Sequence, residues 1–227
     1  MKYKAIQHRN ALALIHYDSK IGGEYAELTG ALDSISDSAI IEFFQSEQEE
    51  RRLKKLRKEG LPSNSSLNAK ERYPKSISSA VNKLIKRELL SRGWEDESPI
   101  FRGDKYGVKG GKKKGVWLLD FVKQYISVEV AFNHGGDIAH NLLKPVLASE
   151  LNHIEKARQT ELAVIVTATQ AMKEAGNFDG AIGTFEKFEE YLLPYQSLIP
   201  GPLVLIGLEP PATFYVNSET RLVEKLS

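Results

Sequence analysis

The stretch Trp117-Leu-Leu-Asp-Phe-Val-Lys-Gln-Tyr-Ile-Ser-Val-Glu-Val-Ala-Phe132 predicts a β-hairpin that turns near Lys123 and Gln124. Side chains alternate between the two faces of a strand. In the second strand the apolar residues at positions 126, 128, 130 and 132 therefore face one way, and they are expected to enter the core. Glu129 then lies on the opposite face, between the small neighbours Ser127 and Ala131.

Asp120 in the first strand can converge with Glu129 if the turn falls at this position. Two carboxylates that lie close together repel each other unless a cation is bound between them. Oxygen ligands of this kind suit a hard ion such as Mg²⁺. A metal held by both acids can lower the pKa of a bound water and neutralise charge on a phosphate during an in-line displacement. The spacing therefore predicts a site for a divalent metal ion, although such acid pairs are common in hairpins.

The chain around this hairpin predicts an α/β fold. Dense apolar runs, typical of buried strands, cover residues 116–122, 125–132, 162–167 and 203–208. Residues 138–156 and 184–193 have helical patterns and lie between these runs. Alternation of strands and helices indicates a mixed central β-sheet flanked by helices.

The N-terminal region has a different character and is predicted to be helical. Residues 33–60 predict one helix, with acidic residues early and basic residues late, as the helix dipole favours. A solvated helix explains this pattern better than an arm that binds nucleic acid. Residues 62–75 predict a loop, and residues 76–92 predict a second helix that ends at Gly93. We divide the chain into an N-terminal region, 1–75, of unassigned role and a core of 76–227.

Composition excludes several classes of protein. The 227 residues carry a formal net charge of +1 and no cysteine, which excludes disulfides, thiolate zinc sites and cysteine catalysis. The longest uncharged stretch is interrupted by Pro194, Pro200 and Pro202, so no transmembrane helix is expected. The first residues lead into no apolar segment of a secretory signal. We expect a soluble cytoplasmic protein without membrane contact.

Residues 102–115 combine glycines with clustered lysines, including Lys112, Lys113 and Lys114. Without apolar periodicity this segment is not expected to pack as a regular element. Such lysines can contact DNA phosphates, which gives affinity without sequence choice. A loop that serves only solubility is the alternative.

Three separate blocks of the sequence resemble the BglII/BstYI group of type II restriction endonucleases, within the PD-(D/E)xK nuclease superfamily. Residues 82–94 (Asn-Lys-Leu-Ile-Lys-Arg-Glu-Leu-Leu-Ser-Arg-Gly-Trp) are similar to a helix of that group. The hairpin has the group's nine-residue spacing from Asp120 to Glu129. Residues 202–210 (Pro-Leu-Val-Leu-Ile-Gly-Leu-Glu-Pro) are similar to its late strand. The blocks occur in the group's order, whereas the first 70 residues match nothing in it.

The resemblance implies a homodimer that cleaves double-stranded DNA at a short palindrome, with one Mg²⁺-dependent site in each subunit. It assigns metal binding and water positioning to Asp120 and Glu129. It also places a polar residue near the metal just after Trp94, for which Glu97 is our choice and Asp96 the next. Relatives cleave palindromes that contain GATC, which gives a GATC core as the expectation here.

One position departs from the group's pattern. The group has Gln, and the wider superfamily Lys or Glu, two residues after the catalytic glutamate, whereas this chain has Ala131. A methyl group cannot position a water or stabilise a phosphorane-like transition state. Another residue (Glu97, Asn133 or Lys123) can take the role, the metal alone can suffice, or the chain can be catalytically impaired.

The resemblance also indicates DNA contacts in two connections. The first runs from the catalytic strand into the helix predicted for 138–156, and from it we take Asn133, His134 and Lys144. The alternative is a plain glycine turn followed by a helix capped by Asp137. The second is the loop of residues 175–184, where Asn177, Asp179 and Thr184 carry groups that can read base edges. A plain connection between a strand and a helix is again the alternative.

Two other functions remain open from the sequence. A nuclease of the same fold could act in DNA repair or recombination, where cleavage depends on DNA structure or ends. A sequence-specific DNA-binding protein without catalysis is the second, and Ala131 is the reason to consider it. The helix predicted for 138–156 is our candidate for the dimer interface, through Leu142, Leu143, Val146 and Leu147, and packing of these residues in the core is the alternative.

Overall fold

The structure is a computed structural model that describes residues 1–103, 108–109, 112–113, 117–150 and 154–226, with residues 108–109 and 112–113 described by their backbone alone. Its helices are α1 (Ala11–Tyr17), α2 (Ser19–Ser34), α3 (Asp37–Glu59), α4 (Ser78–Ser91), α5 (Ile138–Ser149), α6 (Gln170–Ala175) and α7 (Phe185–Leu192). Its strands are β1 (Tyr3–His8), β2 (Glu95–Pro99), β3 (Val108–Lys109), β4 (Lys112–Lys113), β5 (Leu118–Val122), β6 (Ile126–Val130), β7 (Leu162–Ala168), β8 (Leu203–Leu208), β9 (Phe214–Val216) and β10 (Val223–Lys225).

A six-stranded sheet in the order β1-β8-β7-β6-β5-β2 forms the centre of the fold. Strands β6, β7 and β8 run parallel to one another, β1 and β5 pair antiparallel with the outer two of these, and β2 pairs antiparallel with β5. Every residue of β7 and β8 is buried, as expected for parallel strands covered on both faces. The predicted α/β class with a mixed sheet is therefore confirmed.

Helices cover both faces of the sheet and form two cores. On one face, α1 to α4 pack against residues such as Val128, Val164 and Ile206. On the other, α5 and α7 pack against Ile165 and Leu205. Of the side chains on α5, Leu142 is fully buried in this second core, whereas Leu143, Val146 and Leu147 are half-buried. None of the helices within the described ranges has the length and apolar character needed to cross a bilayer.

Strand β1 places the N-terminal region in the main sheet. It pairs antiparallel with β8, so that Tyr3 lies opposite Leu208 and His8 opposite Leu203. The region 1–75, predicted to be helical, therefore contains an edge strand as well as three helices. Its longest helix, α3, begins after Ser36, whose hydroxyl accepts a hydrogen bond from the Ala39 N–H, and ends at a residue with positive φ.

The helix predicted for residues 138–156 is shorter than expected. Helix α5 ends at Ser149, and residues 151–153 lie outside the described residues. Beyond them, Ala157 donates a backbone hydrogen bond to Ile100 and Glu155 accepts one from Arg102, each of 2.9 Å. These hydrogen bonds to the segment after β2 stabilise an extended conformation of residues 155–157. The apolar periodicity of residues 138–156 alone does not reveal this pairing.

Glu24 of α2 fixes the turn of the β5–β6 hairpin. Its buried carboxylate accepts hydrogen bonds from the backbone N–H groups of Gln124, Tyr125 and Ile126, at 2.9 to 3.1 Å. Charge-assisted bonds to a buried acceptor are among the stronger ones in proteins. The tip of the hairpin is thus held by a helix from the N-terminal region.

Substituting Glu24→Ala is expected to lower the free energy of unfolding by about 3 kcal/mol, because three partly or fully buried N–H groups lose their acceptor. Urea unfolding followed by circular dichroism measures this loss. The matched control is Glu27→Ala, which removes only the half-exposed ion pair with Lys123 and should cost less than about 1 kcal/mol. Equal losses in the two variants would contradict the assigned role of Glu24.

Candidate active site

The β5–β6 hairpin brings together the two acids predicted from the sequence. The strands pair antiparallel with Phe121 opposite Val128. The same register carried one residue further places Asp120 opposite Glu129, and opposite residues in an antiparallel pair project from the same face. Asp120 Oδ2 also accepts a hydrogen bond of 2.8 Å from the Val130 backbone N–H. The carboxylate of Asp120 is thereby held beside the glutamate strand.

Glu129 lies in the interior of the protein, with 2% of its surface exposed. Its Oε2 atom is 2.5 Å from the ammonium nitrogen of Lys144 on α5. Its Oε1 atom is also buried and has no hydrogen-bond partner among the described residues. A buried carboxylate oxygen without a partner is costly. This oxygen is therefore available to bind a cation.

Burial raises the proton affinity of both carboxylates. It raises the pKa of Glu129 to about 8, the charge of Asp120 adds to this rise, and the ammonium of Lys144 opposes it. Burial also raises the pKa of Asp120, against the lowering effects of Lys144 and of the Val130 N–H, and the charge of Glu97 adds to the rise. Both directions follow from placing acids near like charges in a poorly solvated site. An added positive charge would therefore stabilise the ionised forms of both acids.

A cavity of about 520 Å³ lies beside Asp120. Helix α4 contributes Ser79, Asn82 and Lys86 to its wall, and Asn133, just after β6, lines it as well. The spacing of Asn82 and Lys86 puts both on the same side of α4. The cavity therefore has three acids, Asp96, Glu97 and Asp120, on the sheet side and hydrogen-bond donors on the helix side, so that a phosphate group would need a bound cation to offset the acids.

Glu97 lies across β2 from Asp120. The β2–β5 register pairs Asp96 with Phe121 and Ser98 with Leu119, which leaves Glu97 opposite Asp120. Glu97 has a positive φ of 46°, a conformation that few side chains adopt. It is exposed, it lines the cavity, and its charge acts on Asp120.

Asp96, the second choice for this position in the sequence, forms an ion pair of 2.6 Å with Lys86. Both residues line the same cavity wall. Of the two acids, Glu97 is the one placed opposite Asp120, and Asp96 is held by the helix instead.

The described residues contain no group of three or more His, Cys, Asp or Glu side chains arranged to hold a metal ion. They do contain the two-acid pair with one unpartnered buried oxygen. Oxygen donors of this type, completed by water, fit Mg²⁺ better than softer metals. The residues present therefore fit a magnesium ion held by Asp120 and Glu129, with solvent in the remaining positions.

The two connections predicted to contact DNA lie against each other. Gly135 donates a backbone hydrogen bond of 2.6 Å to Ala181, and Gly183 donates one of 3.1 Å to Asn133. An isolated bridge also pairs His134 with Ile182. A Cβ atom at position 135 would lie 3.3 Å from the Ala181 carbonyl oxygen, so glycine allows this close approach. The structure thus joins the two loops into one surface.

This double loop carries most of the polar groups named from the sequence. Asn133 accepts a hydrogen bond from Asn141 and lines the cavity. The ring of His134 accepts one from the Gly136 N–H and is exposed. Asn177 is half-buried and donates to the carbonyl of Lys75. Asp179 is exposed, and its pKa is lowered by the Ala181 N–H and by the ammonium of Lys75.

Two residues expected at the DNA are placed differently. Lys144 is 8% exposed and its ammonium lies on Glu129, inside the protein instead of at a groove. Thr184 is 1% exposed at the start of α7, so its hydroxyl cannot reach a base edge in this conformation.

The alternative explanation for the first connection was a glycine turn followed by a helix capped by Asp137. The side chain of Asp137 makes no capping hydrogen bond to α5, so the capping part of that explanation is wrong. Lys112 and Lys113 lie in β4, and Lys114 lies outside the described residues.

The structure also locates the three candidates for the role missing at Ala131, which is itself buried in the second core. Lys123 lies at the hairpin tip, where its ammonium bonds Glu27 and the Arg92 carbonyl. Glu97 and Asn133 both line the cavity. Of the three, only Lys123 is directed away from the acids.

The sequence analysis missed two features of this site. It quoted Asn82 and Lys86 only as part of a matching helix, and their i, i+4 spacing beside the apolar positions of α4 could have placed them on the side facing the acids. Lys144 was expected at the DNA because the resemblance places a DNA contact in this connection. No local signal marks a lysine that turns inward.

The sheet order, the helices on both faces and the acid pair on adjacent strands define the fold of a restriction endonuclease. A crystal structure of restriction endonuclease BglII complexed with a DNA 16-mer matches 100% of this chain and 89% of its own, at 17% identity and a TM-score of 0.59. The crystal structure of free BglII matches 95% of this chain and 83% of its own, at 16% identity and a TM-score of 0.53. No match was found among curated protein sequences.

The family model of restriction endonuclease BglII/BglIII matches residues 3–208, and the chain belongs to this family. It is a type II restriction endonuclease, a site-specific deoxyribonuclease. The match begins in β1, so it includes the N-terminal residues in which the sequence analysis found no resemblance. The resemblance identified from the hairpin, α4 and β8 is thereby confirmed.

Asp120→Asn is expected to raise the free energy of unfolding in EDTA by roughly 1 kcal/mol, because it removes one of two like charges from a buried site. The amide oxygen can still accept from Val130, while the repulsion with Glu129 disappears. Thermal or urea unfolding measures the change. Asp96→Asn serves as the control and should give no gain, because it weakens the ion pair with Lys86. A loss in the Asp120 variant as large as in the control would contradict mutual repulsion of the acids.

Proposed function

We propose that this endonuclease hydrolyses phosphodiester bonds of double-stranded DNA in a Mg²⁺-dependent reaction, at a short palindromic site, as a homodimer. The observation that carries the proposal is the buried acid pair beside the polar cavity, with Glu129 Oε1 left without a partner. An unpaired buried carboxylate oxygen is destabilising in the absence of a cation. Such a site lowers the stability of the protein, and functional sites commonly do so.

In this proposal Asp120 and Glu129 hold the magnesium ion. The ion supplies a bound water of lowered pKa and positive charge opposite the scissile phosphate. Asp120 is fixed by the Val130 N–H, so its carboxylate is oriented before any metal binds. Glu97, opposite Asp120 on β2 and exposed to the cavity, is placed to accept a hydrogen bond from the attacking water. Lys86 and Asn82 offer donors to phosphate oxygens from the other wall.

Sequence reading is assigned to the double loop formed by residues 133–136 and 177–183. Asn133, His134, Asn177 and Asp179 carry donors and acceptors of the kind that distinguish base edges in the major groove. Their position next to the cavity wall, through Asn133, supports this assignment.

A homodimer is proposed because one site in one subunit cannot cut both strands of a palindrome without rebinding. A two-fold symmetric protein matches a two-fold symmetric site. On α5, Leu142 is used by the core of the subunit, whereas Leu143, Val146 and Leu147 keep exposed surface that a partner could cover.

The first experiment incubates the purified protein with plasmid DNA and Mg²⁺, where discrete fragments are expected. Asp120→Asn and Glu129→Gln should each reduce the cleavage rate by about 1000-fold or more, because each removes a charge from the metal site. Both variants should still shift a DNA fragment in gels that contain Ca²⁺. The matched control is Glu186→Gln, an acid at the opposite edge of the sheet that pairs with Lys4.

Fragment patterns distinguish the remaining alternatives. A digest of DNA that carries every hexamer should give double-strand breaks at one palindrome, with a GATC core as the expected centre. Cleavage that depends on ends, gaps or branches would favour a repair or recombination nuclease. Tight DNA binding without nicking at any Mg²⁺ concentration would overturn the proposal in favour of a binding protein without catalysis.

The lysines of the glycine-rich segment are proposed as phosphate contacts. Changing Lys112, Lys113 and Lys114 together to Ala should weaken binding to cognate and non-cognate DNA alike. The slope of log affinity against log salt concentration should flatten by up to about three units, because fewer counterions are released. Fluorescence anisotropy at several salt concentrations measures both effects. Loss of affinity for the cognate sequence alone would instead indicate base contacts.

A further inference from the structure

Lys144 is a buried lysine in direct contact with the acid pair. Its side chain is 10% exposed, and its Nζ atom lies 2.5 Å from Glu129 Oε2. Lysines are almost never this buried unless they are paired, since removing an ammonium from water is expensive. Among the described residues, no other cationic side chain forms an ion pair with Asp120 or Glu129. The position of Lys144 therefore needs an explanation.

The charge of Lys144 reaches both acids. It contacts Glu129 directly, and at Asp120 it opposes the rise in pKa that burial causes. A purely structural lysine would be satisfied by backbone carbonyls or by one surface carboxylate, as Lys123 is by Glu27 and Arg92. Lys144 instead contacts a carboxylate that is 2% exposed, whose second oxygen has no partner among the described residues.

Helix α5 holds Lys144 in this place. Asn141, one turn earlier on the same side of the helix, donates a hydrogen bond of 3.1 Å to Asn133 at the cavity. Pro145 follows directly inside the helix and has no N–H to donate. The helix also packs against β6 and β7, the strand of Glu129 and its neighbour. The lysine is thus presented by a packed element and not by a mobile loop.

The strand itself offers no cationic group on this face. Ala131, the next residue on the same face as Glu129, ends in a methyl group and is buried in the second core, and the hydroxyl of Ser127, the preceding one, lies 3.3 Å from the hydroxyl of Thr160. A cation that contacts the Glu129 carboxylate must therefore come from another element. The structure supplies it from α5.

We propose that Lys144 is the third group of the active site, a positioning residue that holds Glu129 by Oε2 and leaves Oε1 for the metal. The inference rests on the proposed Mg²⁺-dependent function. Lys144 does not take part in bond making or breaking. Residues that orient a metal ligand commonly affect metal affinity or activity by about 10-fold to 100-fold.

The test compares Lys144→Met, which removes the charge at similar length, with Lys144→Arg, which keeps it. The Met variant should cleave cognate DNA roughly 100-fold more slowly in single-turnover assays, whereas its affinity for DNA in Ca²⁺ should stay within about threefold. Its affinity for Mn²⁺ alone, measured by calorimetry on the free protein, should fall by about tenfold. The Arg variant should recover most of both losses.

Lys123→Met is the matched control, since it removes a partly buried ion pair at the other end of the same hairpin. Its cleavage rate should stay within about twofold of the wild type. Thermal melts of the wild type and of each variant are recorded first, and the assays are run below all of their unfolding transitions. If Lys144→Met is unfolded there, Lys144→Gln, which keeps a donor without the charge, takes its place with the same expected losses.

Several results would overturn the inference. Tighter Mn²⁺ binding with unimpaired cleavage in the Met variant would make Lys144 a mere substitute for the absent cation. Parallel losses of stability, DNA affinity and cleavage in both the Met and Arg variants would make it structural. If the wild-type protein binds DNA but never cleaves it, both the proposed function and this inference are wrong. If the wild type cleaves DNA and the Met variant cleaves it equally fast, only the inference is wrong.

Discussion

Desolvation of one carboxylate at the centre of the sheet is the constraint on which this structure depends. Glu129 is buried between α5 and the strands, and its partner acid lies on the neighbouring strand. Neither charge is tolerated there without compensation. Lys144 on α5 and the N–H of Val130 offset part of this negative charge. A divalent ion would offset the rest.

The fold brings the compensating groups from both faces of the sheet. Helix α5 on one face carries Lys144 and Asn141, and helix α4 on the other carries the donors that line the cavity. The N-terminal region contributes at a distance, since Glu24 of α2 holds the hairpin turn that sets the register of the acids. The candidate active site is thus supported by helices on both faces of the sheet, and the N-terminal region, to which the sequence assigned no role, is part of that support.

The hairpin and its acids could be predicted because their signal is local. Alternation along residues 126–132 assigns Glu129 to one face, and the position of the turn then determines where Asp120 lies. Strands β7 and β8 were equally clear, because strands buried on both faces have continuous apolar sequences.

What could not be predicted depends on contacts between distant segments. Strand β1 contains charged and polar residues because it is an edge strand, so it has little apolar signal. The inward turn of Lys144 depends on a carboxylate 15 positions earlier in the chain, and the burial of Thr184 depends on the packing of α7 against the sheet. Periodicity within one segment carries no information about either partner.

The mutual hydrogen bonds between the 133–136 turn and the 177–183 loop have a consequence for how such enzymes diverge. Each loop serves as part of the scaffold for the other, through the Gly135 to Ala181 and Gly183 to Asn133 bonds. Exchanging one of these two loops for the corresponding loop of a homologue would leave backbone N–H and C=O groups without partners where the loops meet. New target preferences in this lineage are therefore expected to arise through coordinated replacement of both segments, and transplantation of specificity between enzymes requires moving them as a unit.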